Sequence, residues 1–263
     1  MKSLRQCPLC DSESKQVKKH VEHKGEVFGI CECSRCSFLY VGDANNNPTE
    51  DADQKDTRYD SVPASKARHR QIKSILDSEL ERGNNVVEIG AGYGALGKLL
   101  SKTGYDYLGF EPMPMRASVP RAEGIHVRQD VFAPQSVDKP IDALVIDNVL
   151  EHVIDPKGIV RDAVESLRTG GLLVVLVPNR YDIRRAVPSW REDHFWIPKW
   201  HINFFRARDL KRLFHEVDVE FSPFGFNSVE IQRTSDIKFF PKILLDKVHL
   251  YPFGLYCYGK KKE

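Results

Sequence analysis

The sequence predicts an α/β protein: a doubly wound, mostly parallel sheet with a small cysteine-bearing module ahead of it. Three observations predict it. Short apolar runs, Val86–Ile89, Tyr107–Phe110, Ala143–Ile146 and Leu172–Val177, alternate with segments of helical character. The first run opens into a glycine-rich turn, Gly90-Ala91-Gly92-Tyr93-Gly94, and then a helix. Five of the 6 cysteines fall between Cys7 and Cys36, in two C-x-x-C pairs plus one.

At 263 residues the chain can bury a large core, and Lys+Arg 39 against Asp+Glu 37 leaves a net charge of +2. So even a balance gives no broad electrostatic footprint for nucleic acid. The start, Met1–Cys10, has no apolar core of a secretory signal, and no apolar stretch has the length of a bilayer span. The expectation is a cytoplasmic protein with reduced cysteines and no membrane partner.

Taken in order, residues 1–42 read as a zinc-ribbon-like module. Cys7-Pro8-Leu9-Cys10 and Cys33-Ser34-Arg35-Cys36 form two knuckles, each turning two thiolates toward one ion, so that Cys7, Cys10, Cys33 and Cys36 complete a closed, structural Zn²⁺ shell. Disulfides are the competing reading, which a reducing compartment disfavours. Cys31 lies outside both knuckles and reads as a spare thiol. Residues 43–63, with Asn45-Asn46-Asn47-Pro48 and many acids, read as a linker. From 64 onward one large domain is expected. It begins with a cover helix on which Ile72, Ile75, Leu76 and Leu80 recur at helical spacing.

The candidate site lies where the strands end, since ligands of open α/β sheets bind beyond the carboxyl ends. Gly90, Gly92 and Gly94 let backbone approach a ligand closely. Glu88, two residues before the first glycine, is a buried-strand carboxylate that needs a cationic or hydrogen-bonding partner. A phosphate-bearing coenzyme would repel it, whereas the sulfonium and ammonium of S-adenosylmethionine suit it. Glu111, ending the second run, can accept two ribose hydroxyls; Asp130, ending the third, can accept from an adenine amine; and Asp147-Asn148 ends the fourth. The turn also satisfies G-x-G-x-x-A, so an NAD-dependent enzyme stays open as an alternative.

With these residues the chain resembles the class I S-adenosylmethionine-dependent methyltransferases. The matching stretches are Glu88–Gly94, Glu111, Gln129-Asp130-Val131-Phe132, Asp142–Pro156 and Leu167–Asn179. Leu150-Glu151-His152-Val153-Ile154-Asp155-Pro156 is similar to the L-E-H-x-x-D-P segment of the branch that acts on small molecules. The cysteine module resembles one found ahead of some bacterial sugar and natural-product methyltransferases. The resemblance implies a seven-stranded Rossmann-like sheet of order 3-2-1-4-5-7-6 with strand seven antiparallel. It places Val131 and Asn148 with the other cofactor contacts, and implies in-line methyl transfer from the sulfonium.

Residues 180–205 hold Trp190, Trp196, Trp200, Phe195, Phe204 and Phe205, and read as an aromatic wall or lid over a small-molecule acceptor, a sugar or other biosynthetic intermediate methylated on oxygen or carbon. Core packing under a long loop is the plainer alternative. An oxygen acceptor needs a base, for which His152 and His201 are the candidates and His194 a weaker one. Glu151-His152 is expected to open a helix. A nucleic-acid methyltransferase or RNA-binding module, gripping phosphate through Lys15, Lys18, Lys19 and Lys24, is the further alternative. Beyond the lid, residues 207–217 read as an amphipathic helix, 217–221 as a strand, the greasy stretch 239–245 as core, and 254–258 as the last strand.

Overall fold

Runs of Val, Leu and Ile without a polar break must be covered on both faces, and helices flank both faces of the sheet that these runs build. The computed structural model describes residues 4–44, 63–186, 188, 196–216, 221–227 and 254–262. Its elements are β1 (Lys15–His23), β2 (Glu26–Cys33), β3 (Leu39–Val41), α1 (Pro63–Glu79), β4 (Asn85–Ile89), α2 (Ala95–Lys102), β5 (Asp106–Phe110), α3 (Pro114–Ala122), β6 (Val127–Arg128), β7 (Ile141–Asp147), α4 (Pro156–Ser166), β8 (Leu167–Pro178), β9 (Asn203–Phe204), α5 (Ala207–Glu216), β10 (Phe221–Asn227) and β11 (Gly254–Lys261).

Among the described residues the larger sheet has the order β10-β11-β8-β7-β4-β5-β6. β4 pairs in parallel with β5 and β7, β5 with β6, and β7 with β8, while β11 is antiparallel to both β8 and β10. This is the expected doubly wound order, with the last strand reversed. Alternation along the strands divides the core. Val86, Tyr107, Ala143, Val145, Leu172 and Val174 meet Ile72, Ile75 and Leu76 of α1 on one face. Val87, Ile89, Phe110, Leu144, Ile146, Leu173 and Val175 meet Val160 and Ala163 of α4 and Leu210, Leu213 and Phe214 of α5 on the other.

The cysteine module is continuous with that second core. Leu9, Phe38 and Tyr40 are fully buried in the same cluster as Phe205, Leu210 and Leu213, and the Phe38 and Phe205 rings lie 5.2 Å apart. Its three antiparallel strands recruit a fourth, giving a sheet of order β1-β2-β3-β9 in which Leu39 pairs with Phe204 and Tyr40 with Asn203. The end of the expected lid is therefore a strand of the cysteine module's sheet.

One element starts later than the sequence reading placed it. Glu151-His152 does not open a helix; α4 begins at Pro156, whose ring presets the first helical φ, with Asp155 as the cap accepting from Gly158 N–H at 2.9 Å. Glu151 and His152 stand on the turn before it. Trp190, Arg191, His194 and Phe195, most of the linker, residues 217–220 and the stretch 239–245 lie outside the described residues. No helix among the described residues is long and apolar enough to cross a membrane.

Candidate cofactor and acceptor site

The glycine turn leaves β4 in a conformation that side chains resist. Gly90, Gly92 and Gly94 have φ of 78°, 52° and 74°, in the left-handed region. A Cβ on Gly90 would lie 2.4 Å from Val149 Cγ2, and one on Gly94 would lie 2.3 Å from Pro120 Cβ. Over Gly92 there is open space. Two of the glycines thus serve packing and left-handed backbone together, and the middle one keeps a cradle that a ligand can fill.

Glu111 closes one side of that cradle. It is 4% exposed; its Oε2 accepts from Gly92 N–H at 2.9 Å and its Oε1 from Met113 N–H at 3.0 Å. Each oxygen keeps a second lone pair, so the pinned carboxylate can still receive two hydroxyls. Asp130 and Val131 lie past the end of β6, both exposed, with Asp130 Oδ1 accepting from Val131 N–H at 2.8 Å. Asn148 takes a left-handed φ of 53° immediately after β7, and its N–H bonds Leu176 O at 3.0 Å. Such a conformation in a non-glycine residue costs of order 1 kcal/mol and marks a site worth inspecting.

Glu88 does not stand free at the mouth of the sheet. It is 3% exposed and accepts a hydrogen bond from the Tyr107 hydroxyl on the neighbouring strand. Burial pushes its carboxyl up to about 8, with Asp147 and Glu111 adding to the rise while Tyr107 and Arg68 oppose it. Asp147 behaves oppositely. Burial works against its charge, yet Arg68 and His69 outweigh it and hold the carboxyl below the usual carboxylate range. Arg68 Nε lies 2.9 Å and His69 Nε2 3.6 Å from Asp147 Oδ2. Both side chains come from α1, where sequence reasoning saw only a covering apolar stripe. The basic triplet Arg68-His69-Arg70 was the available signal.

The structure brings the two candidate bases together. The His152 and His201 rings lie 4.9 Å apart, edge to face. His152 Nδ1 lies 2.8 Å from Trp200 O, and since a carbonyl only accepts, that nitrogen carries the proton and Nε2 keeps the lone pair. Burial favours the neutral imidazole. Glu151 Oε1 is 3.7 Å from His152 Nε2; burial pushes this carboxyl up to about 8, and its Oε2 is buried without a hydrogen-bond partner. One polar atom from each of Glu151, His152 and His201 falls within 4.8 Å of the others, close enough to share a proton or a cation.

The four cysteines converge as their spacing predicts. Their sulfurs lie within 4.8 Å of one another, with Cys7–Cys36 and Cys10–Cys33 each at 3.6 Å. A Zn–S bond of about 2.3 Å gives a tetrahedral edge of about 3.8 Å, so the donor set fits Zn²⁺. The two knuckles share one design. Asp11 and Ser37 follow their last cysteines with φ of 55° and 58°, and their N–H groups bond Cys7 O and Cys33 O. Cys31 is buried apart from the cluster, its Sγ so close to Gly42 that a Cβ there would sit 2.4 Å away.

The described part of the aromatic segment faces the cysteine module. Lys19 Nζ stands 3.1 Å from the centre of the Trp196 ring and Lys24 Nζ 4.3 Å from that of Trp200, while His23 meets the edge of Trp200. The other two lysines read as a phosphate grip are also engaged, Lys18 with Glu32 at 3.0 Å and Lys15 with Leu4 O at 3.1 Å.

Comparison with known proteins follows the same lines. A family described as a methyltransferase domain matches residues 63–221. The "Ubiquinone biosynthesis O-methyltransferase" of Methylobacterium sp. (strain 4-46) is 31% identical over 112 residues, 40% of this chain and 45% of that protein. An "Uncharacterized methyltransferase" of Mycobacterium sp. (strain JLS) is 33% identical over 96 residues, 35% of this chain and 38% of that one. The matches thus span less than half the length of these curated relatives. Among solved structures, the plantazolicin methyltransferase BpumL in complex with SAH superposes with a TM-score of 0.60 at 13% identity, covering 82% of this chain and 93% of that one. The N-methyltransferase NodS from Bradyrhizobium japonicum WM9, also with SAH, gives 0.54 at 16% identity, covering 81% and 94%. At such identities the structural likeness speaks for the fold.

Proposed function

The chain belongs to the methyltransferase-domain family, and on that premise we propose that it transfers a methyl group from S-adenosylmethionine to a small-molecule acceptor in the cytoplasm. The observation that carries this reading is the open cradle over Gly92 beside the pinned carboxylate of Glu111. Bound there, S-adenosylmethionine supplies an electrophilic methyl carbon on a sulfonium. Glu111 would receive the ribose hydroxyls, the exposed strand-end Asp130 and Val131 would border the adenine, and Asn148 would border the amino-acid end. Glu88 and Asp147 set acidic groups around a cationic donor, which favours their charged forms.

The acceptor is a hydroxyl or activated carbon on a sugar or related biosynthetic intermediate, approached from the side of Glu151, His152 and His201. For a hydroxyl, the donor would supply the methyl carbon by in-line displacement, its sulfonium keeping the C–S pair as the C–O bond forms. The displaced proton passes to His152 Nε2, whose lone pair the Trp200 carbonyl keeps on that side. His201 is the neighbouring candidate. Cys7, Cys10, Cys33 and Cys36 hold a structural Zn²⁺ that performs no chemistry.

Titration calorimetry with S-adenosylhomocysteine and, separately, NAD tests the cofactor. Binding of the homocysteine compound with NAD inert is the expected result; the reverse order overturns the reading. One zinc per chain by atomic emission, in protein purified without chelators, is expected of the cysteine site.

A further inference from the structure

Five consecutive residues of the turn before α4 are each held by the short segment 200–203 or by Arg5 of the ribbon. Asn203 Nδ2 donates to Leu150 O at 2.8 Å and to Val153 O at 2.7 Å. The N–H groups of Ile202 and Asn203 both reach Glu151 O, at 2.7 and 3.1 Å. His152 is fixed through Trp200 O, and Ile154 O accepts from Arg5 Nη1 at 3.3 Å. Arg5 also donates to Asn203 Oδ1 at 2.9 Å, to Ile202 O at 2.8 Å and to Val41 O at 2.9 Å. Arg5 stands two residues before Cys7, and Val41 belongs to β3 of the ribbon.

We propose that Asn203, clamped by Arg5, is a positioning residue through which the cysteine ribbon holds the turn bearing Glu151 and His152, making the ribbon a working part of the acceptor side. The chemistry of the side chains requires this pairing. Asn203 is 2% exposed, and a carboxamide alone offers two donors for two carbonyls and one acceptor for a guanidinium. An aspartate would keep the bond to Arg5 and turn a carboxylate toward two carbonyl oxygens. Arg5 supplies a planar fork that reaches four acceptors across both units, which a lysine ammonium cannot reproduce. Buried carbonyls left without these donors would have to move to water, and the turn would move with them.

The consequence for methyl transfer rests on the reading of His152 given above, but the positioning itself is measurable without any acceptor. Protein labelled with ¹⁵N-histidine reports the His152 tautomer and its titration, with S-adenosylhomocysteine binding as a separate control. In the unaltered protein His152 should show one tautomer, protonated on Nδ1. Asn203→Asp should mix the tautomers, shift the titration and speed exchange of the Nδ1 proton by about tenfold or more, while homocysteine-compound binding stays near its original value. Arg5→Lys should give the same change in smaller measure. Unaltered His152 spectra in folded Asn203→Asp overturn the proposal. Should that variant fail to fold, unaltered spectra in Arg5→Lys overturn it equally. Failure of the unaltered protein to bind S-adenosylhomocysteine would instead count against the cofactor reading and leave the histidine measurement standing.

Discussion

The Tyr107 hydroxyl donates to the carboxyl of Glu88 across two adjacent parallel strands; both side chains are buried, and the Tyr107 ring packs with Leu76 of α1 and Leu96 of α2. The ring fits because Gly97 of α2 has no side chain, a Cβ there falling 2.4 Å from Tyr107 Cε1. Glycine, tyrosine and glutamate therefore form one packed unit near the glycine turn.

That unit makes stability fall as pH rises. Folded Glu88 keeps its proton up to about 8, whereas the unfolded chain releases it near 4.5. Between those values unfolding frees a proton, so the contribution is complete below 4.5 and is lost through 8, at about 1.4 kcal/mol per pH unit for one group. Glu151 titrates in the same direction. Glu88→Gln should flatten the decline by the share of one group. Thermal melts of ligand-free protein at pH 5 and pH 8 check this, and equal declines in both proteins would refute it.

Glu111→Ala removes the acceptor for two backbone N–H groups together with the proposed ribose contact. Affinity for S-adenosylhomocysteine should weaken by roughly 1.5–3 kcal/mol, the worth of charge-assisted bonds. Calorimetry on the folded variant measures it.

Gly92→Ala and Gly94→Ala should separate binding from packing. Both positions demand a left-handed backbone, but only Gly94 abuts Pro120. Gly94→Ala should cost about 3 kcal/mol of stability from strain and overpacking. Gly92→Ala should cost about 1–2 kcal/mol of strain and lose most of its cofactor affinity. Urea denaturation beside calorimetry distinguishes the two.

Phe205→Ala opens a cavity between ribbon and sheet, where Phe205 is fully buried against Phe38. A loss of about 3–5 kcal/mol is expected, with zinc passing faster to a chromophoric chelator. Unchanged zinc release would show that the shared core does not hold the ribbon.

Legibility in the sequence followed the range of the interactions. The parallel strands could be read because burial on both faces leaves continuous apolar runs, and the cysteine pairs because a metal shell imposes local spacing. That Glu111 comes beside the glycine turn could be read because adjacent parallel strands end together at one edge of the sheet. Arg5, Asn203, Arg68 and His69 could not. Arg5 and Asn203 meet across 198 positions, and Arg68 and Asp147 across 79, so no local pattern announces either pair. β9 escaped for the same reason, being a two-residue strand paired to the distant β3. The start of α4 was misplaced because Glu151-His152 has helical composition, while Asp155-Pro156 carries the stronger cap.

The reversed strand β11 lies between β8 and β10 although β10 precedes it in the chain. On the ribosome, then, β10 has no neighbour to join until residues 254–261 have emerged, and the flank of β8 stays open for that interval. The sheet is completed last by its next-to-edge strand, so trimming the carboxyl end should strand β10 and leave a sticky edge on the nascent chain.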